Sequence, residues 1–284
     1  MKRYVTFRTG GPADYFFEPD SLDVLKKGLE LFFQKNIPIY LLGDGSNTLV
    51  HDEGFRGVVI RLQSPAFSFL EKTGDLFLRC GAGVKNHRLA AFAAEQGIEG
   101  FEFLCGFPGT LGGSLFGNAG SRDETLGMRA KKIVCLTKEG HREEFSETQF
   151  NYGYRSFPLL QNKIIVELFV EGTGKNAFEK ICGKNEQVRQ IRREKDPKGF
   201  TCGSVFKNPE GTHAWKVIDQ LRFRGKSIGG AHFSETHPNW ILCDKDARSE
   251  HIWALIRLAQ SEAQNQLGVL LEIEVRCLGD FSSE

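Results

Sequence analysis

"GFEFLCGFPGTLGGSLFGNAG", residues 100–120, decides how the rest of the chain is to be read. Its seven glycines, at 100, 106, 109, 112, 113, 117 and 120, follow neither a helical nor a strand period throughout. Glycine lets main chain turn left-handed or approach a partner closely, so this density beside Ser114 and Asn118 points to backbone wrapped around a ligand. Two shorter clusters share the character. "LLGDGSNTLV" (41–50) sets Gly43, Asp44, Gly45, Ser46, Asn47 and Thr48 after a predicted strand, and "GAG" (81–83) follows another. Successive N–H groups in such turns can face one anion. The first cluster is neither a Walker loop nor G-x-G-x-x-G, so alone it reads equally as a turn or a phosphate cradle.

Outward from these loops the pattern alternates between periods. Ser21 is placed to cap a helix in "SLDVLKKGLELFFQKN", where Leu22, Leu25, Leu29 and Phe32 recur at helical spacing. "IPIYLL" and "RGVVIRL" read as strands, closing a first lobe at 1–63. A second lobe, 64–172, holds the strands "LFLRCG", "KKIVCL" and "KIIVELFV" and the helix "HRLAAFAAEQG". From 173 to 284 comes a polar helix, "AFEKICGKNEQVRQIRREK", stopped by Pro197. A helix near "AWKVIDQL", a strand "NWILCD", a helix "SEHIWALIRLAQSEAQNQLG" and a last strand "VLLEIEVRCL" follow. The fold class is α+β in three lobes.

Composition narrows the function. With 40% hydrophobic and 26% charged residues, the 284-residue chain is ordinary globular material. A formal net charge of +1 argues against phosphate-driven nucleic-acid binding. Seven cysteines without a C-x-x-C pair fit reduced thiols in a cytoplasm, and no structural zinc or other metal site is expected. No apolar run suits a signal peptide or a membrane span.

Six stretches occur in one order: "LGDGSNTLV", "GFEFLCGFPGTLGGSLFGNAG", "NYGYRSF", "CGSVFKNP", "GKSIGGAHFSETHPNW" and "EIEVR". Together they resemble the UDP-N-acetylenolpyruvoylglucosamine reductase family over residues 6–279. The resemblance implies two lobes forming an FAD-binding fold of the vanillyl-alcohol-oxidase type, and a C-terminal α+β substrate-binding domain. It implies FAD as cofactor, NADPH as electron-donating co-substrate and a UDP-sugar as substrate; separately, a monomer is expected. Hydride would pass from flavin N5 to C3 of the enolpyruvyl ether, and a proton to C2, giving UDP-N-acetylmuramate for peptidoglycan.

By the same likeness, Gly43, Asp44, Gly45, Ser46, Asn47, Thr48, Gly81 and Gly83 would hold FAD. So would Gly106, Pro108, Gly109, Gly112, Gly113, Ser114, Asn118, Ala119 and Gly120. Ser204 maps onto the family's proton donor; from the nonapeptide "TCGSVFKNP" (201–209) alone it reads as a turn hydroxyl. Arg155 corresponds to the active-site arginine, whose planar guanidinium suits a carboxylate. Glu274 corresponds to the catalytic glutamate. Strand alternation puts Glu272 and Glu274 on one face, so periodicity does not choose between them. Lys207 and Asn208 are the preferred substrate contacts, with Arg192 from a basic cluster that includes Arg193, Lys195 and Lys198. Tyr154 is either a further contact near the ring or carboxylate, or a core tyrosine.

Three departures accompany the resemblance. The span from Arg155 to Ser204 is short, as in the class without a tyrosine-bearing lid. Val5–Thr6 replaces asparagine–threonine, and Pro238 stands where a small non-proline residue is expected. Two rival functions are another flavin oxidoreductase of this fold, and a flavin-free UDP-sugar-binding regulatory module.

Overall fold

The computed structural model describes residues 1–120 and 123–282. The chain builds two compact units, one from residues 1–14, 44–57 and 194–284, the other from 15–43 and 58–193. The first two expected lobes both contribute to the second of these units. The first unit combines segments of the N-terminal lobe with most of the C-terminal one.

In the unit containing 58–193, five strands form an antiparallel sheet. Their spatial order is Leu70–Lys72, Phe77–Gly81, Ile164–Glu171, Ala130–Leu136, Arg142–Ser146. Alternation assigns its two faces to two cores. Ile133 and Cys135 join Leu168 and Val170 in one apolar cluster, while Val134 and Leu136 join Ile164 and Val166 in another. A register shift between Ile165 and Glu167 inverts the alternation, so Leu168 and Val170 share the face of Ile165 and not that of Ile164 and Val166. Helix Asn86–Glu95 covers that cluster with Leu89, Ala90 and Ala93. Helix Leu22–Gln34 supplies Leu25 and Leu29 to the other, and its Ser21 hydroxyl accepts the Val24 N–H at 3.4 Å, as the cap pattern predicts. The two edge strands, Leu70–Lys72 and Arg142–Ser146, are additions to the sequence reading. Strand Ile39–Leu41 runs parallel to Phe55–Ile60, pairing Ile39 with Val58 and Leu41 with Ile60. Helix Phe178–Lys195 is as polar as expected and buries only Ile181 and Asn185.

The other unit has one core around Phe206, Phe233, Ile241 and Leu255. Strands Ser227–Ile228, Ala231–Phe233 and Ile241–Cys243 form its antiparallel sheet. Helix Ser249–Leu267 buries Ile252, Leu255, Ile256, Ala259 and Ala263, a stripe at helical spacing, and ends on Gly268 at φ 67°. At its start the Asp52 carboxylate accepts the N–H groups of Ser249 and Glu250, at 3.1 and 3.3 Å.

Two expectations need correction here. The last strand is regular only over Arg276–Leu278, paired in parallel with Thr48–Val50. Residues 271–275 leave the pleat because Ile273 bridges Phe206 and the Glu274 N–H bonds Val205 O. The alternation argument for Glu272 and Glu274 therefore lapses. Thr48, read as part of a loop, begins a strand and is buried.

Candidate active site

Ser204 lies in a stretch held from two sides. Ser204 bridges Trp240, and the Val205 N–H donates to Asn239 O at 2.8 Å. On the other side Val205 O accepts the Glu274 N–H at 2.8 Å, and the Lys207 N–H reaches Glu272 O at 2.8 Å. Residues 204–207 and 272–275 thus run as neighbouring rungs. The hydroxyl of Ser204 and the carboxylate of Glu274 stand on adjacent segments, both half-buried. Asn47 adds a third tie: its amide donates to Glu274 O at 3.1 Å, and its carbonyl accepts the Arg276 N–H at 3.1 Å. None of these bonds uses the Ser204 hydroxyl or the Glu274 carboxylate. Gly45, two residues earlier, sits at φ 63°, where a Cβ would come within 2.2 Å of Tyr4 O.

The residues after Ser204 carry local duties. Asn208 Oδ1 accepts the Ala214 N–H at 3.1 Å, ahead of helix Ala214–Gln220, which fixes the orientation of its amide. Lys207 pairs with Glu272. Pro238 proves to be the second residue of a turn closed by Trp240 N–H to His237 O at 3.0 Å, the position proline's fixed φ favours. Its neighbour Asn239 was not singled out from sequence. Burial keeps the nearby thiols protonated: Cys202 is pushed well up, and Cys243 to about 12.

In the second unit, Arg155 occupies the corner of a tight turn in which Gly153 and Ser156 exchange backbone bonds. Its φ is 51°, a left-handed conformation that costs a non-glycine residue about 1 kcal/mol. Nη1 donates to Gly120 O at 3.1 Å, and the guanidinium lies 5.4 Å from the Tyr154 ring centroid. Tyr154 is 56% exposed, which removes the core reading. Asn118 stitches the surroundings, donating to Gly153 O at 2.9 Å and accepting the Gly127 N–H at 3.1 Å.

The glycine tract divides. Some of its glycines serve packing inside the unit; at Gly112, a Cβ would fall 3.0 Å from Ala82 Cβ, and at Gly83 of the shorter cluster 1.6 Å from Leu62 O. The N–H groups of Leu111 and Gly112 go to Val84 O and Ala82 O, both at 2.8 Å, and Thr110 Oγ1 accepts that of Gly113 at 3.4 Å. Ser114 donates its hydroxyl to Asn86 Oδ1 at 2.9 Å, both residues buried. Asn86 O/N contacts of this kind were invisible in the sequence because the partner lies in another element. Gly109 O accepts the Asn86 N–H at 3.0 Å, and Ala119 pairs through its backbone with Ser114 and Leu126. Arg192 reaches Gly106: a Cβ there would lie 3.4 Å from its Nε. Arg193 is committed to Glu186. Gly113, Gly117 and Gly153 differ from the packed glycines. A Cβ on Gly113 or Gly117 meets one atom within 4 Å, at 3.5 and 3.8 Å, and on Gly153 none. Such bare main chain suits a flat ring system; in the other unit, Ser46 and Asn47 carry polar side chains of the kind that can donate to a diphosphate. Among the described residues, no group of three or more His, Cys, Asp or Glu could hold a metal ion.

Comparison with known proteins covers nearly the whole chain. Residues 13–137 match the model of an FAD binding domain. Residues 196–278 match the C-terminal domain of UDP-N-acetylenolpyruvoylglucosamine reductase. A protein of that name from Pelobacter propionicus is 36% identical, covering 99% of this chain and 94% of its own. One from Clostridium botulinum is 34% identical, with 99% and 91% covered. The crystal structure of the Thermus caldophilus UDP-N-acetylenolpyruvylglucosamine reductase superposes with a TM-score of 0.84 at 29% identity, covering 98% of this chain and 97% of that one.

Proposed function

Because the chain belongs to the UDP-N-acetylenolpyruvoylglucosamine reductase family, we propose that it reduces UDP-N-acetylglucosamine enolpyruvate to UDP-N-acetylmuramate with electrons from NADPH. It is an FAD-containing oxidoreductase of peptidoglycan precursor synthesis. The glycine loops would hold FAD, which would supply hydride chemistry toward C3 of the enolpyruvyl ether.

The protein's own groups handle charge and proton. Arg155 holds the substrate carboxylate, onto which negative charge spreads as C3 takes the hydride. Its strained turn and its bond to Gly120 O support a guanidinium fixed in advance. Ser204 gives its hydroxyl proton to C2 and recovers one from solvent. Serine is a weak acid, but the carbanion or enolate at C2 is a strong base, so position matters more than acidity. Glu274 acts beside Ser204, orienting the substrate or assisting the protonation. Asn208, Lys207, Arg192 and Tyr154 contact the UDP-sugar; for Lys207 this means sharing its charge with Glu272.

For FAD we keep the two glycine loops, with weight on Ser46, Gly113 and the tract to Gly120. Three lobes with boundaries near 63 and 172 rest on the family resemblance, since Phe7 and Leu49 join the C-terminal core, and Val134 and Ile164 join the core of helix Leu22–Gln34. The short span from 155 to 204 supports a substrate held without a tyrosine lid. Seven unpaired cysteines support a reducing, cytoplasmic setting. The observation that carries the reading is the pairing of 204–207 with 272–275, which sets a hydroxyl and a carboxylate on neighbouring rungs.

The test is anaerobic. NADPH should bleach the flavin of the purified protein, and the UDP-enolpyruvyl sugar should then restore its colour. A chain that takes up no FAD, or reduced flavin that the sugar does not reoxidise, would overturn the proposal.

A further inference from the structure

We infer that Asn239 is a positioning residue for the protonation step, holding Ser204 in register with Glu274. This rests on the functional reading above. Among the described residues, 204–207 belong to no continuous strand; they make only the isolated bridges Ser204–Trp240 and Phe206–Ile273. On the 272–275 side, main chain supplies the partners. On the opposite side the backbone partner ends at Asn239 O, which takes the Val205 N–H at 2.8 Å. The next peptide is met by a side chain. Asn239 Oδ1 accepts the Phe206 N–H at 3.1 Å, and Nδ2 donates to Phe206 O at 2.9 Å. A carboxamide carries the same donor and acceptor as a peptide group, so this one stands in for the missing strand.

The position is built for that duty. Asn239 is 4% exposed, and its two side-chain bonds to Phe206 are themselves buried. The turn that delivers it is stiffened by Pro238 and by Ser234, whose hydroxyl accepts the N–H groups of Thr236 and His237, each at 3.1 Å. The clamped peptide is central to the site. Val205 O, one residue before it, receives the Glu274 N–H, and Ser204 is the residue before that. Slippage at Phe206 would therefore move the hydroxyl relative to the carboxylate, without touching the parts that meet FAD or NADPH.

The experiment compares the two half-reactions of the holoenzyme in wild type, Asn239→Ala and Asn239→Asp. Aspartate keeps the acceptor for the Phe206 N–H and loses the donor to Phe206 O. Reoxidation of reduced flavin by the UDP-enolpyruvyl sugar should fall ~10²-fold in Asn239→Ala, the scale set by an ångström of misplacement. Reduction by NADPH and the KM for the sugar should change less than about twofold, since neither depends on where the proton donor stands. In a Ser204→Ala background, adding Asn239→Ala should cost almost nothing further, because the group being positioned is already gone. Equal losses in both half-reactions, an additive double variant, or failure of both single variants to fold would assign Asn239 to the fold alone and overturn the inference. Wild type that is not reoxidised by the sugar would instead sink the functional reading, so the two failures are distinct.

Discussion

Residues 106–120 and 203–208 both offer polar side chains beside glycine, several glycines in the first and Gly203 alone in the second, yet the structure employs them differently. In the first tract the polar atoms are consumed within the unit. Ser114 bonds Asn86, Asn118 ties Gly127 to Gly153, and Thr110 caps the short helix Leu111–Phe116. What remains for a ligand there is bare main chain, as at Gly113 and Gly117. In the second tract the framework is main chain braced by the amides of Asn47 and Asn239. The side chains of Ser204 and Glu274 take no part in it. On the proposed reading, the cofactor meets backbone in the first tract and the substrate meets side chains in the second.

The sharpest way to break this comparison is Ser204→Ala. It should leave reduction by NADPH intact and slow reoxidation by the sugar by roughly 10²–10⁴-fold, the usual worth of a placed acid. Stopped-flow absorbance separates the two steps, and an unchanged second step would remove Ser204 from the chemistry. Arg155→Gly comes next. Glycine accepts φ 51° without strain, so the variant deletes the guanidinium while sparing the turn. Loss of a charge-assisted pair worth about 1.5–3 kcal/mol should slow the same step by roughly 10- to 10²-fold. A defect confined to NADPH oxidation would contradict the assignment.

How much of this could be read in advance varies by element. Helix Leu22–Gln34 was legible because a capping serine and an apolar stripe agree, and Ile164–Glu171 because its apolar residues feed two cores at once. The edge strands Leu70–Lys72 and Arg142–Ser146 were not, since each presents polar residues to solvent and carries little period. The strand expected over 269–278 shrank to Arg276–Leu278 because its first half pairs with an irregular segment. Candidate roles for Ser204, Arg155 and Glu274 came from ordered motifs; the nonapeptide around Ser204 favoured a plain turn. Asn86 and Asn239 escaped notice for a physical reason: an asparagine's partner is set by tertiary approach, and nothing in local spacing records it.

Ser114→Ala sharpens the contrast from the other side. If the hydroxyl serves packing, its loss leaves Asn86 Oδ1 without that buried bond, at about 1–3 kcal/mol. Thermal unfolding of the apoprotein should drop by a few degrees while FAD affinity changes little. A large fall in FAD affinity with unchanged stability would make Ser114 a cofactor contact after all, and erase the distinction drawn between the two tracts.

The smallest effect concerns Asp52, which braces the first unit in the manner of Asn47 and Asn239. Burial would raise its pKa, but the N–H groups of Ser249 and Glu250, with Arg248 nearby, outweigh burial and hold it below the usual carboxylate value. A depressed folded value means stability that is present above the unfolded pKa of about 3.9 and lost as pH falls through the folded one. Asp52→Asn keeps an acceptor at the helix start but loses the charge that favours its positive end. With solvent screening, that should cost about 0.5–1 kcal/mol near neutral pH. Urea midpoints measured from neutral to acid pH should therefore converge between variant and wild type as the carboxylate protonates. A gap that stays constant across that range would show that the bond, and not its charge, does the bracing.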